Sequence, residues 1–77
     1  MTRSLFSPRQ RRLCGLLRQA RHDAGLTQAE LARRLRRPQS FIAKYEGEER
    51  RLDVVEFLDI AKATGADPLH LLQQLLT

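Results

Sequence analysis

Gln39, Ser40 and Lys44 fall on one side of a short helical stretch whose other side carries Ile42 and Tyr45. A glutamine amide can bond an adenine edge through two hydrogen bonds, and a lysine can donate to guanine or to a phosphate. Just before that stretch stand Arg36 and Arg37, whose forked donors suit phosphate oxygens. Polar groups for base edges beside cations for a sugar–phosphate backbone are the chemistry of reading a nucleic-acid duplex. Other chemistries have less to work with. Cys14 is the single cysteine, which excludes a disulfide within the chain and a four-thiolate zinc site. His22 and His70 are the only histidines and lie far apart in sequence, so no metal is expected, and no cofactor either. No nucleophile or paired acid and base stands out, which argues against an enzyme.

Helices must position these groups, because no stretch alternates with period two and β-branched residues are few. Ser7-Pro8-Arg9-Gln10 predicts the start of the first, with Ser7 as cap, Pro8 at the first helical position and Gln10 completing a capping box. Leu13, Leu16, Leu17, Ala20 and Ala24 form its apolar stripe, and Gly25 is placed to end it in a left-handed conformation. Thr27-Gln28-Ala29-Glu30 is a second capping box, opening a helix over about 28–35 with Leu31, Ala32 and Leu35 facing inward. Pro38 disfavours helical geometry at Arg37, and a third helix is expected over about 38–46, broken by Gly47. Asp53-Val54-Val55-Glu56 makes a third capping box, whose helix should present Val54, Phe57, Leu58 and Ala61 to the core and end at Gly65. Asp67-Pro68 opens the last helix, which carries Leu69, Leu71, Leu72, Leu75 and Leu76.

The fold class expected is therefore all-α, a compact five-helix bundle with a helix-turn-helix formed by helices 2 and 3. Only two or three residues join that pair, which forces a steep angle between them. The geometry sets the first helix across a DNA backbone while the second presents its N-terminal residues to the major groove. Residues 1–6 are expected to be a short mobile arm, and 7–77 a single domain.

The charge distribution agrees. Of the 14 basic residues, 12 are arginines, and the formal net charge is +5. Residues 1–51 hold thirteen bases and five acids, whereas 52–77 hold one base, Lys62, and four acids. Such asymmetry suggests that one part of the surface meets a polyanion. A length of 77 residues and a hydrophobic fraction of 42% fit one small packed domain. No uncharged stretch approaches the roughly 20 apolar residues of a membrane span, and Met1–Gln10 lacks the apolar core of a secretory signal. A cytoplasmic, nucleoid-associated protein is expected.

Gln28-Ala29-Glu30-Leu31-Ala32, followed by Gln39-Ser40-Phe41-Ile42 and Lys44-Tyr45-Glu46, resembles the Cro/phage-repressor helix-turn-helix domain of the XRE family. The resemblance runs from about Leu17 to Leu72 and includes Arg50-Arg51-Leu52-Asp53 and Thr64-Gly65-Ala66-Asp67-Pro68. It implies a lambda-repressor-like, sequence-specific double-stranded DNA-binding domain. Such a domain would be a prokaryotic or phage transcriptional regulator, a repressor by expectation, acting as a homodimer on a palindromic operator. It further implies that Gln28 and Arg50 meet phosphate and that Arg21 pairs with Glu46, bracing the recognition helix. In three places the chain departs from the family. Arg36 stands where glycine is common, at a cost of about 1 kcal/mol if it is left-handed. Pro38 replaces a serine or threonine, and Gly47 comes one position before the usual loop glycine.

Two other readings compete. One is a protein-interaction or assembly module of the same fold, which would carry an apolar or acidic face on the third helix. The other is an antitoxin that also binds a partner protein. The helix that ends the chain bears on assembly: Leu69, Leu72 and Leu76 share one stripe, and Leu71 and Leu75 lie on an adjacent one. One short helix cannot turn all five inward. Leu71 and Leu75 are the residues expected at a weak homodimer interface.

Overall fold

The structure, a computed structural model, describes residues 7–77; the expected arm over residues 1–6 lies outside them. Five helices follow one another: α1 Pro8–Asp23, α2 Gln28–Leu35, α3 Gln39–Glu46, α4 Val54–Thr64 and α5 Pro68–Leu76. No strand occurs among the described residues.

Local chemistry accounts for each start. The Ser7 hydroxyl accepts from the Gln10 N–H at 3.1 Å. The reciprocal bond from the Gln10 side chain is not made, and Gln10 Nε2 is buried without a partner among the described residues. Capping boxes close fully at α2 and α4: Thr27 and Glu30 exchange bonds of 2.9 and 3.1 Å, and Asp53 and Glu56 exchange bonds of 3.0 and 2.7 Å. Asp67 caps α5 through the Leu69 N–H at 2.9 Å. Pro38, expected as the first residue of the third helix, is instead its cap, and it makes no side-chain bond to α3.

Four turns reverse the chain through a left-handed residue: Gly25, Arg36, Glu48 and Gly65. At each, the N–H of the following residue reaches back to the last helical turn, as from Arg37 to the Ala32 carbonyl and from Glu49 to the Lys44 carbonyl. Arg36, at φ 56°, takes the expected strained conformation. The early glycine has a similar explanation: Gly47 has a right-handed φ of −84°, and Glu48, at φ 63°, occupies the left-handed position. Its ion pair with Arg11 at 3.0 Å joins two exposed side chains and is worth little. Glu48→Gly is accordingly expected to raise stability by about 0.5–1 kcal/mol, less strain outweighing the freer unfolded chain. Denaturant unfolding checks it, and lower stability would mean that the Arg11 pair outweighs the strain.

The core draws on every helix. Leu17 of α1, Leu31 and Ala32 of α2, Phe41, Ile42 and Tyr45 of α3, Phe57, Ile60 and Ala61 of α4, and Leu71 of α5 form one cluster with Leu26. Cys14 is buried, and burial pushes its thiol above the usual value, as an inert core cysteine requires. Two expected faces are corrected. Val54 and Leu58 are exposed, and Ile60 takes the inward place on α4. On α5 the stripes are reversed: Leu71 is only 6% exposed, whereas Leu69, Leu72 and Leu76 face out. Leu75 is half-buried. The two stripes are equally apolar, so sequence alone does not orient the helix; its packing against α1 and α4 selects the Leu71 side for the core. Leu71 therefore belongs to the chain's own core rather than to an outer interface. No helix among the described residues is long and apolar enough to cross a membrane.

Candidate nucleic-acid interface

α3 is built to show one polar side. Phe41, Ile42 and Tyr45 are buried, which anchors the helix, and Gln39, Ser40, Ala43 and Lys44 are all exposed on its outer face. The first N–H groups of any helix lack internal partners, and Pro38 has no side-chain acceptor for them. The N-terminal turn of α3 thus presents backbone donors beside Gln39 and Ser40. Arg36, also exposed, stands in the three-residue turn 36–38 that leads into α3.

Beneath this face lies a bidentate ion pair. Arg21 Nε and a terminal nitrogen donate to the two carboxylate oxygens of Glu46 at 2.8 and 2.9 Å. Its other terminal nitrogen donates to the Leu26 carbonyl at 2.9 Å. The two side chains are only 8% and 4% exposed. Gln28 joins the cluster, its Nε2 donating to Glu46 at 3.0 Å. The side-chain amide expected at a phosphate thus gives one N–H to Glu46, which leaves its second N–H and the backbone donors at the start of α2 to offer an anion.

A second cluster was not legible in the sequence. Glu56 is buried, and it accepts from both terminal nitrogens of Arg50 at 3.0 and 2.9 Å. Arg37 pairs with the same carboxylate at 3.2 Å. Both guanidinium groups also lie over the Phe41 ring, 4.4 Å from its centroid for Arg37 and 4.8 Å for Arg50. The two arginines expected to be free for phosphate are therefore held against the protein, with side chains 41% and 37% exposed. Glu56 was visible only as the closing residue of a capping box. Its nearness to Arg50 in sequence was the available signal, and Arg37 enters only through the fold.

The Arg50 hydrogen bonds hold the Glu56 carboxyl down at about 2, against an ordinary 4.5, despite its burial. Because the folded-state value is the lower one, protonation favours the unfolded chain. The contribution is whole above about pH 4.5 and vanishes as pH falls toward 2. With the half-exposed arginines screened by solvent, it should amount to about 2 kcal/mol. Urea unfolding of the native chain and of Glu56→Gln across this range checks it: the native chain loses the increment and the variant does not.

Among the described residues no group of three or more histidine, cysteine, aspartate or glutamate side chains is placed to hold a metal ion.

The helix-turn-helix domain family matches residues 12–75. An XRE-family like protein from Pseudomonas syringae pv. tomato superposes with a TM-score of 0.83 at 55% identity, over 87% of this chain and 82% of that one. The restriction-modification controller protein C.AhdI from Aeromonas hydrophila gives 0.73 at 27% identity, over 80% and 94%. A tetramer of the controller protein C.Esp1396I, in complex with its natural 35 base-pair operator, gives 0.82 at 20% identity, over 92% of this chain and 93% of that one; this last likeness shows the fold alone. No curated protein matches the chain. With the family match spanning α1 to α5 and the outward face of α3 in place, the chain belongs to the XRE-type helix-turn-helix family of DNA-binding transcriptional regulators.

Proposed function

We propose that the chain binds a specific double-stranded DNA operator through α3 in the major groove and represses transcription by occupying that site. One observation carries the proposal: Gln39, Ser40, Ala43 and Lys44 form a continuous exposed face at the start of a helix whose back is core, next to Arg36 and Arg37. Gln39 and Ser40 read base edges, and Lys44 donates to a base or a phosphate. Arg36, with the outward donors of Arg37 and Arg50, neutralises phosphate. Gln28 serves through the backbone at the start of α2. No catalytic step is assigned to any residue. A regulator of this kind works at the nucleoid, in the cytoplasm. An assembly module would want an apolar or acidic α3 face, and this one is polar and flanked by bases. Fluorescence anisotropy on a duplex at several salt concentrations tests the reading: log K should fall linearly with log salt, and binding absent at low salt would refute it.

The operator is proposed to be palindromic and the protein a weak homodimer. Leu69, Leu72 and Leu76 on α5 and Val54, Val55 and Leu58 on α4 are large apolar side chains left exposed in one chain. A twofold pair would set two α3 helices about 34 Å apart, one turn of DNA. Leu72→Asp is expected to shift the sedimenting species toward monomer with helicity intact. One chain per duplex at high protein concentration, without half-site symmetry, would count against the dimer.

A further inference from the structure

We infer that Glu56 is a positioning residue for DNA binding, holding Arg37 and Arg50 as a paired phosphate clamp beside α3. The inference rests on the DNA-binding reading above and adds to it a residue that touches no DNA.

The two arginines come from separate connections, one between α2 and α3 and the other between α3 and α4. They converge on one carboxylate oxygen, Glu56 Oε2, at 3.2 Å from Arg37 and 2.9 Å from Arg50. Both also rest over the ring of Phe41, a residue of α3 next to Ser40. Capping α4 does not require this convergence, since that role needs only the bond from Asp53 N–H to Glu56 Oε1. Each guanidinium has five N–H donors in a fixed fork, and the carboxylate does not exhaust them. The unused donors lie on side chains that remain more than a third exposed. A free surface arginine must lose rotamer freedom when it meets phosphate; one already held by a carboxylate and a ring has lost it beforehand. Glu56 cancels one of the two positive charges, so the clamp keeps a net cation at the edge of the reading helix.

Charge and position give opposite signs when Glu56 is neutralised. Glu56→Gln keeps an oxygen for the Asp53 N–H and raises the net charge by one, so electrostatics alone would tighten DNA binding. Positioning predicts the reverse. On a mixed-sequence duplex, at a temperature where circular dichroism shows the variant folded, Glu56→Gln should weaken binding by about tenfold and flatten the log K against log salt slope by about one to two units. A merely structural role would leave that slope unchanged. In a background carrying Arg37→Ala and Arg50→Ala, where only the charge effect remains, the same Glu56→Gln change should leave affinity equal or slightly tighter. Equal or tighter binding by the single variant would overturn the inference, as would the same loss in the arginine-free background. Absence of duplex binding by the unsubstituted chain would instead overturn the DNA-binding reading itself, and this inference with it.

Discussion

Arg21→Ala is expected to cost about 3–5 kcal/mol of folding stability, because it strands the Glu46 carboxylate in the interior. The Glu46 side chain is 4% exposed and loses both Arg21 bonds, keeping only the 3.0 Å bond from Gln28. The Leu26 carbonyl loses its arginine donor as well. A domain of this size has a total stability of only about 4–12 kcal/mol, so the loss removes a large part of it. Arg18→Ala, on the exposed side of α1, should shift stability by less than about 0.5 kcal/mol. Thermal and urea unfolding of the two variants makes the comparison. Equal midpoints would show that the buried pair does not brace α3. A large loss does not mean that the pair itself is strongly stabilising, since desolvation offsets much of its attraction.

The parts of the fold that were legible were those written in short-range chemistry. Thr27 with Glu30 and Asp53 with Glu56 close the capping boxes that their spacing announces. The alternation of Ile42 and Tyr45 with Gln39, Ser40 and Lys44 sorts α3 into a core side and an outer side. Parts that depend on distant segments were less legible. Val54 and Leu58 have helical spacing with Phe57 and Ala61, yet the rotation of α4 leaves them outside. The stripe of Leu71 and the stripe of Leu72 differ by 100° around one helix, and only the packing of α5 on its neighbours chooses between them. Arg37 was read as a phosphate cation from its place just before the third helix, and Arg50 from the family resemblance, and neither signal points to a carboxylate on α4. Their common partner, Glu56, reaches both only once α4 is folded against the turn before α3.

The second large effect is on specificity. Gln39 is exposed at the first position of α3 and makes no hydrogen bond that folding needs, so Gln39→Ala should leave the unfolding midpoint nearly unchanged. Its consequence should appear only on DNA. A bidentate contact to an adenine edge discriminates by about 1–3 kcal/mol, and its loss should relax the preference at one or two base pairs while other positions keep theirs. Arg36→Ala, in contrast, should weaken binding to all sequences alike and flatten the salt slope by about one unit. The two variants therefore separate base reading from phosphate neutralisation.

Selection of bound sequences from a random duplex pool, run in parallel with the native chain and Gln39→Ala, tests the central claim most directly. The native chain should enrich a consensus with two related half-sites about one helical turn apart. The variant should enrich the same consensus with degeneracy confined to one or two pairs in each half-site. An identical consensus and affinity for both proteins would contradict the placement of α3 as the reading helix, and no enrichment by the native chain would contradict sequence-specific binding altogether.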